Sequence, residues 1–177
     1  ITIRPALAKD FPTLLQICKD RYQFDATRAG IDKSKRSQLP TFESQLETLT
    51  RSLVGWISAG QCFLMEANGR PGAWFVLRLP TPGAYTAANK RKGGAKATAS
   101  APLPHATMLG PYTDPHFAGA SKYMLTFCQA CCPRLAIEVP LDDPLSRFRL
   151  AYWLDRGFVP AALAPSGRAI SLLLHGE

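Results

Sequence analysis

The sequence has 177 residues, of which 46% are hydrophobic, and its formal net charge is +8. This length and composition suit one globular domain, residues 1–177, with a hydrophobic core of its own. No apolar run is long enough for a membrane span and no signal peptide is visible, so we expect no membrane partner. Because the sequence begins at Ile1 rather than Met, we expect it to be part of a longer chain.

The positive charge is concentrated between Ala67 and Thr113, a stretch without any acidic residue. Such a field favours anionic partners: nucleotide phosphates, nucleic acid or acidic proteins. The aromatic residues of this stretch are few and show no stacking pattern, which argues against nucleic acid. Residues 80–105 form a Pro/Ala/Lys-rich segment that is too long for an ordinary connection, and we expect it to be a loop insertion.

The five cysteines are an odd number, which argues against a disulfide framework and favours a reducing compartment, the cytoplasm. Cys128 and Cys131 form a CxxC pair, but no second pair follows at zinc spacing, so we expect no metal. Both are instead expected to be small apolar residues on the core-facing side of a helix.

The residue pattern in the first half of the chain predicts one strand followed by two helices. The alternation in Ile1–Arg4 predicts the strand, and the apolar spacing of residues 11–22 predicts the first helix. Residues 25–40 are polar and basic and predict a loop. A second helical stripe runs from Phe42 to Trp56 and ends at Gly60.

The middle of the chain predicts a hairpin, a strand and a helix. Gln61–Glu66 and Ala73–Leu79 flank the Asn68-Gly69 dipeptide, which is the strongest short signal of a hairpin turn. A short strand is predicted over Met108–Tyr112. A helix is predicted over Ala120–Cys131, and a proline follows it.

Residues 134–158, RLAIEVPLDDPLSRFRLAYWLDRGF, predict a buried strand, a turn and a capped helix. Asp143 fits the N-cap position and is followed by a proline, which suits the first helical position. Gly157 suits a left-handed C-cap, after which Phe158 opens another strand. Arg168–His175 predicts a final strand, and an exposed final strand at Arg168–Leu174 could pair with a second copy.

The segment 134–158 and the opening IRPALAKDFPTLLQIC resemble the GNAT N-acetyltransferase superfamily. In members of that family the counterpart of segment 134–158 has the pattern LEV…N…LY…LGF. The order of the predicted elements agrees with that resemblance over nearly the whole chain. It implies an α/β (α+β) fold with a mixed, mostly antiparallel central sheet of six or seven strands and about four flanking helices. It also implies a divergent acyl-CoA-dependent N-acyltransferase, a monomer or a homodimer, that uses acetyl-CoA or another acyl-CoA as co-substrate.

In this family the pyrophosphate of acyl-CoA binds a loop of pattern Arg/Gln-x-x-Gly-x-Gly/Ala between a strand and a helix. Small residues let the backbone approach the phosphates, and the helix N-terminus points its N–H groups at the anion. The counterpart here is His116-Phe117-Ala118-Gly119-Ala120-Ser121, in which His116 replaces the Arg or Gln. The resemblance further implies that backbone N–H groups of Met108–Tyr112, including Leu109 and Gly110, bind the acyl or pantetheine part.

The reaction that the resemblance implies is direct attack of an amine on the thioester. The family places a Tyr four residues before the Gly of GF as the acid that protonates the departing thiolate. Trp153 occupies that register here, and the adjacent Tyr152 is the candidate acid. Candidate carboxylates for the amine proton are Glu138, Glu66 and Asp114, and Glu138 is either buried and functional or exposed on its strand.

The sequence departs from the family pattern at His116, Asp143 and Trp153, so a second interpretation stays open: a catalytically degenerate GNAT-fold binding or regulatory domain. The acceptor amine is unknown, and the positive field suggests that it is acidic. Residues 22–40 and the 80–105 insertion are expected to shape its site.

Overall fold

The structure is a computed structural model that describes residues 1–28, 41–80, 105–141, 146–163 and 166–175. A short 3-10 helix, Ala8–Asp10, precedes the first α-helix. The helices are α1 (Phe11–Arg28), α2 (Phe42–Ser58), α3 (Ala120–Cys131) and α4 (Ser146–Leu154). The strands are β1 (Thr2–Pro5), β2 (Cys62–Ala67), β3 (Arg70–Arg78), β4 (Ala106–Thr113), β5 (Leu135–Pro140), β6 (Val159–Leu163) and β7 (Ala169–Leu174).

The seven strands form one sheet in the order β1-β2-β3-β4-β5-β7-β6. Strands β4 and β5 are parallel, and their register runs from Ala106 opposite Leu135 to Met108 opposite Ile137. The pairs β1–β2, β2–β3, β5–β7 and β6–β7 are antiparallel. The predicted fold class, a mixed and mostly antiparallel sheet with about four helices, is confirmed.

The chain divides into two compact units. The first unit comprises Ile1–Leu77 and Leu109–Thr126, and the second comprises Arg78–Met108 and Phe127–Glu177. In the part of the chain that the structure describes, no helix combines the length and the apolar character needed to cross a bilayer.

The predicted hairpin of the first unit is confirmed. Asn68 and Gly69 have φ values of 52° and 74°, as the two central residues of a tight hairpin turn require. The hairpin pairs Phe63 with Phe75, and their rings stack with centroids 5.4 Å apart.

The core of the first unit lies where α1 and α2 pack against the hairpin strands. Trp74 is fully buried, and its indole N–H donates to the carbonyl oxygen of Leu14 at 3.1 Å. The ring of Tyr112 stacks on Trp74 with a centroid distance of 4.0 Å. This packing fixes the end of β4 against β3. The other buried residues of the cluster are Ala6, Ile17, Cys18, Leu53, Cys62, Leu64 and Val76.

A buried carboxylate fastens β1 to the start of α1. The Arg4 guanidinium donates to both carboxylate oxygens of Asp10, at 2.8 and 3.0 Å, and to Oε1 of Glu66, at 2.9 and 3.1 Å. Asp10 also accepts the N–H of Leu7 at 2.8 Å. These bonds, the Arg4 ones above all, hold the pKa of Asp10 below its ordinary value.

The second unit confirms the predicted strand–helix–glycine segment in its described part. Alternate residues of β5 are buried, and Glu138, which points to the opposite face, is exposed. Gly157, with a φ of 86°, follows the end of α4 as predicted. The predicted N-cap Asp143 and the proline after it lie outside the described residues, as does most of the 80–105 insertion.

The prediction of an exposed final strand is wrong. Strand β7 lies between β5 and β6, and Leu172 is fully buried. The edge strand on this side of the sheet is β6, whose five residues are all exposed. The local pattern of β7 shows that it is apolar but cannot show which strands it pairs with.

The predicted loop over 25–40 is wrong for its first residues, because α1 continues to Arg28. Arg21 and Asp25 form an ion pair of 2.8 Å one helical turn apart, which supports this extension. Residues 29–40 lie outside the described part of the chain.

The cysteine prediction is correct for Cys128, which is fully buried, and wrong for Cys131, which is exposed. Cys131 is the last residue of α3 and lies about 60° around the helix from Cys128. Burial raises the pKa of the Cys18, Cys62 and Cys128 thiols to about 12. No group of three or more His, Cys, Asp or Glu side chains that could hold a metal occurs among the described residues.

The exposed and the buried cysteines should therefore react with thiol reagents at different rates. We expect a thiolate-directed reagent to modify Cys131 in the native protein, and the buried Cys18, Cys62 and Cys128 only after unfolding. Mass spectrometry of peptides from protein labelled with and without denaturant measures this. Native labelling of Cys128 at the rate of Cys131 would contradict the burial described above.

Three basic groups meet in the second unit, where β4 and β5 begin and β7 ends. Nε2 of His105 and Nη2 of Arg134 each lie 3.3 Å from Nδ1 of His175. Burial, followed by the charge of Arg134 and by His175, lowers the pKa of His105. The folded protein therefore takes up this proton at a lower pH than the unfolded chain does.

Because the pKa of His105 is lower in the folded protein than in the unfolded chain, acid should destabilise the fold. We expect the free energy of unfolding to fall as the pH drops below about 6.5, because the unfolded chain then binds more protons at His105. The H105Q variant should lose part of this slope while folding normally at pH 8. Denaturant titrations between pH 8 and pH 5 measure the free energy of unfolding of both proteins. The same pH dependence in H105Q and wild type would refute the assignment of this effect to His105.

Candidate functional site

The segment that follows β4 folds into a tight turn that leads into α3. Asp114 organises this turn: its Oδ1 accepts the N–H of His116 at 2.8 Å, and its carbonyl oxygen accepts the N–H of Phe117 at 3.0 Å. Asp114 also donates its own N–H to the carbonyl oxygen of Gly72 at 2.8 Å. Residues 114–117 are thereby tied to β3 within the first unit.

Gly119 is the residue from which α3 begins. Its carbonyl oxygen accepts the N–H groups of Lys122 and Tyr123 at 3.0 and 3.2 Å, and its φ is +78°. A side chain at this φ is strained, and a Cβ would come 3.3 Å from the Tyr123 ring. The predicted central glycine therefore stands where the backbone requires one.

The arrangement can bind an anion such as a phosphate. The N–H groups of Gly119, Ala120 and Ser121 have no acceptor inside the helix, and they lie at its positive end. The first turn of α3 contains no acidic residue that would neutralise this end. Ala118 and Gly119 are exposed and small, so a ligand can approach the backbone closely.

The side chains of the loop differ in their surroundings. His116 is exposed, and so is Lys122 in the first turn of the helix. Ala120 is buried, and Phe117 is half-buried with its ring over Gly72 of β3. The six predicted residues thus form one continuous loop and helix start, with the His116 side chain on its exposed side.

The predicted backbone donors of β4 fall on an irregular part of the strand. Leu109 packs against the core cluster of the first unit, and Gly110 has a φ of +102°. A Cβ at Gly110 would lie 3.1 Å from the Tyr112 side chain and 3.4 Å from the Trp74 carbonyl oxygen. Pro111 has no N–H, so the Met108–Tyr112 strand contributes donors on either side of it only.

The predicted acid Tyr152 lies on α4 in the second unit and is half-buried. The Arg156 guanidinium carbon lies 3.3 Å from the centroid of its ring, and Arg156 Nη1 donates to the Tyr152 carbonyl oxygen at 2.9 Å. Trp153 is 4% exposed and packs edge-on against Phe158 at 5.4 Å. The residue in the family's Tyr register is therefore part of the core.

The three candidate carboxylates have different environments. Glu66 is bound by Arg4 in the ion pair that joins β1 to β2. Asp114 closes the turn after β4. Glu138 is exposed on β5 in the second unit, opposite Ser171 of β7, so the alternative that it is a buried carboxylate is wrong. Of the predicted site residues, the first unit holds Leu109, Gly110 and 116–121, and the second holds Tyr152 and Glu138.

Gly72 was not predicted from the sequence as a site residue; it is buried and contacts the turn through its carbonyl oxygen and through the space left by its missing side chain. A glycine inside a strand is a known signal of close backbone approach, so the sequence contained a clue. Arg4 was not predicted either, because nothing in the sequence pairs it with Asp10 or with Glu66.

Comparison with known proteins identifies the fold. No protein-family model matches the sequence, and neither does any curated protein. A GNAT-family acetyltransferase from Streptococcus agalactiae 2603 is similar with a TM-score of 0.66 and 12% identity, covering 99% of this chain and 95% of that one.

Two further solved structures agree with this. The PaiA N-acetyltransferase from Thermoplasma acidophilum, in complex with coenzyme A, has a TM-score of 0.66 and 14% identity, covering 98% of each chain. The chain is also similar to a structure from Corynebacterium glutamicum ATCC 13032 described as "histone acetyltransferase HPA2 and related acetyltransferase". The TM-score is 0.59 and the identity 17%, and the match covers 99% of this chain and 96% of that one. The fold that the sequence resemblance implied is confirmed.

Proposed function

Because this chain has the fold of the GNAT acetyltransferases, we propose that it is an acyl-CoA-dependent N-acyltransferase that moves an acetyl group from acetyl-CoA to a primary amine. The observation that carries the proposal is the loop 116–121. It follows β4, places Gly119 at a φ of +78° and presents the open N-terminus of α3. These features suit the pyrophosphate of CoA, the ligand named for one of the similar structures.

In this proposal the loop binds the pyrophosphate through the N–H groups of Gly119, Ala120 and Ser121. Backbone groups around Leu109 and Gly110 hold the acyl or pantetheine part. The amine nitrogen attacks the thioester carbon, a C–N bond forms, and the C–S bond breaks with the electron pair on sulfur. Fixing both reactants in this way supplies the orientation that direct transfer needs.

Two side chains are proposed to move the protons. Glu138, although exposed rather than buried, accepts the proton that the amine loses, directly or through a water molecule, because Glu66 and Asp114 already have structural partners. Tyr152 gives its phenolic proton to the departing thiolate. Arg156 stacks on the Tyr152 ring and holds it in place by a cation–π contact.

The Tyr152 assignment predicts a specific kinetic defect. We expect Y152F to lower kcat about 100-fold, the lower end of what general acid catalysis contributes, while the Kd for CoA stays unchanged. Thiol release from acetyl-CoA, with amine or with water as acceptor, measures kcat, and calorimetry measures Kd. Full turnover by Y152F would remove Tyr152 from the mechanism.

The proposal is tested first by thermal unfolding with acetyl-CoA, CoA and dephospho-CoA. A ligand that binds only the native state stabilises it by about 2.7 kcal/mol at about 100 times its Kd, so the midpoint must rise. A rise with acetyl-CoA, followed by CoA release with one of a panel of amines, supports the acyltransferase. An unchanged midpoint with all three ligands would refute it.

The second candidate is a GNAT-fold binding or regulatory domain without catalysis. Two observations favour it: the Tyr register is filled by the core residue Trp153, and the loop offers an imidazole where the family has Arg or Gln. An imidazole has at most two N–H donors, whereas a guanidinium presents five. Binding of CoA without release of CoA from acetyl-CoA, for any amine, would select this candidate.

A further inference from the structure

The loop 116–121 is docked on β3 through the aromatic ring of Phe117. An ideal Cβ built on Gly72 would fall 1.8 Å from Cδ2 of Phe117, 2.6 Å from Cε2 and 2.7 Å from Cγ. The ring therefore occupies the space that any other residue at position 72 would fill. Gly72 itself has an ordinary φ and is buried, so the requirement for glycine comes from this contact alone.

A hydrogen bond fixes the same point of β3 to the same turn. The Asp114 N–H donates to the Gly72 carbonyl oxygen at 2.8 Å, and the Phe117 N–H donates to the Asp114 carbonyl oxygen at 3.0 Å. The end of β4 is held as well, because Arg21 Nη1 donates to Thr113 Oγ1 at 3.2 Å. The turn is thus held on β3 at Asp114 by a hydrogen bond and at Phe117 by its ring, and Phe117 lies two residues before Gly119.

We infer that Gly72 and Phe117 are positioning residues for the anion site: their contact sets where the N–H groups of Gly119, Ala120 and Ser121 point. The inference rests on the proposed function for the identity of the ligand, CoA. A loop that is oriented before the ligand arrives binds it more tightly, because little ordering remains to be done. The contact would thereby tune CoA affinity without touching CoA.

The test compares G72A, F117A and the double variant with wild type, and G55A is the matched control. G55A adds the same methyl group on α2, where it meets nothing within 4 Å. Two quantities are measured: the Kd for CoA by calorimetry, and the hydrogen exchange of the Asp114 and Phe117 amides without ligand. F117L is included as a variant that keeps most of the apolar contact.

We expect G72A to weaken CoA binding about tenfold or more, since a displacement of about 1 Å at a site is costly. It should also speed exchange at Asp114, whereas G55A changes neither quantity. In the F117A background the ring is gone, so G72A should have no further effect, and this non-additivity identifies the contact. F117L should lie between wild type and F117A.

Wild-type CoA affinity and exchange in folded G72A and F117A would overturn the inference. Additive effects of the two substitutions would overturn it too, because the residues would then act separately. If the wild-type chain binds no CoA, the proposed function fails and the ligand part of the inference fails with it. The exchange data would still decide whether Phe117 and Gly72 hold the turn.

Discussion

Replacing Gly119 by valine should abolish CoA binding while the protein still folds. A β-branched residue at a φ of +78° is strained by about 1–3 kcal/mol, and its Cβ would press on the Tyr123 ring, 3.3 Å away. Relief of that strain turns the N–H groups at the start of α3 away from their common direction. We expect the Kd for CoA to rise at least about 100-fold, measured by calorimetry.

The G167V variant separates strain from ligand binding. Gly167 has a φ of +66° with nothing within 4 Å of an added Cβ, so valine there costs comparable backbone strain in another turn. It should lower the thermal midpoint as G119V does and keep the CoA affinity of wild type. Equal CoA affinity in G119V and wild type would exclude the 116–121 loop as the pyrophosphate site.

Removing the buried Asp10 carboxylate should destabilise the protein strongly. D10A leaves the Leu7 N–H without its acceptor and takes two hydrogen bonds from the Arg4 guanidinium. We expect a loss of about 2–4 kcal/mol in the free energy of unfolding at pH 7. Denaturant titration of D10A and wild type measures this difference.

The control is E47A, which breaks an ion pair of the same 2.8 Å length between Glu47 and Arg51. Both side chains of that pair are about four-fifths exposed, so its loss should cost less than about 0.5 kcal/mol. An equal loss in D10A and E47A would show that burial does not strengthen the Asp10 pair.

The same carboxylate predicts a pH dependence. The pKa of Asp10 is lower in the folded protein than its unfolded value of about 3.9, so its contribution is complete above that pH. It is lost as the pH falls through the folded pKa, when both states become protonated. The stability curves of wild type and D10A should therefore converge below about pH 4, and parallel curves would contradict the assignment.

The elements that the sequence predicts well are those whose evidence is local. The Asn68-Gly69 turn, the helix over Ala120–Cys131 and the glycine after α4 depend on residues a few positions apart. Periodicity and turn chemistry act over this range, so they can be read without a fold. The loop 116–121 belongs to the same class, because its glycine and its helix start are adjacent.

What the sequence could not predict depends on residues far apart in the chain. Arg4 and Glu66 are separated by 62 positions, and no sequence pattern near either residue indicates that the two form an ion pair. The docking of Phe117 on Gly72 and the place of β7 inside the sheet are of the same kind. Strand order and side-chain docking result from the whole packing, which a single sequence pattern does not contain.

The position of β7 also constrains how the protein is made. The ribosome synthesises β5 and β6 before β7, yet in the finished sheet each of them is hydrogen-bonded to β7. Until Ala169–Leu174 has left the exit tunnel, the apolar strand β5 has an open edge and β6 has no strand to join. A nascent chain paused before β7 therefore exposes an aggregation-prone edge, which β7 closes when it emerges.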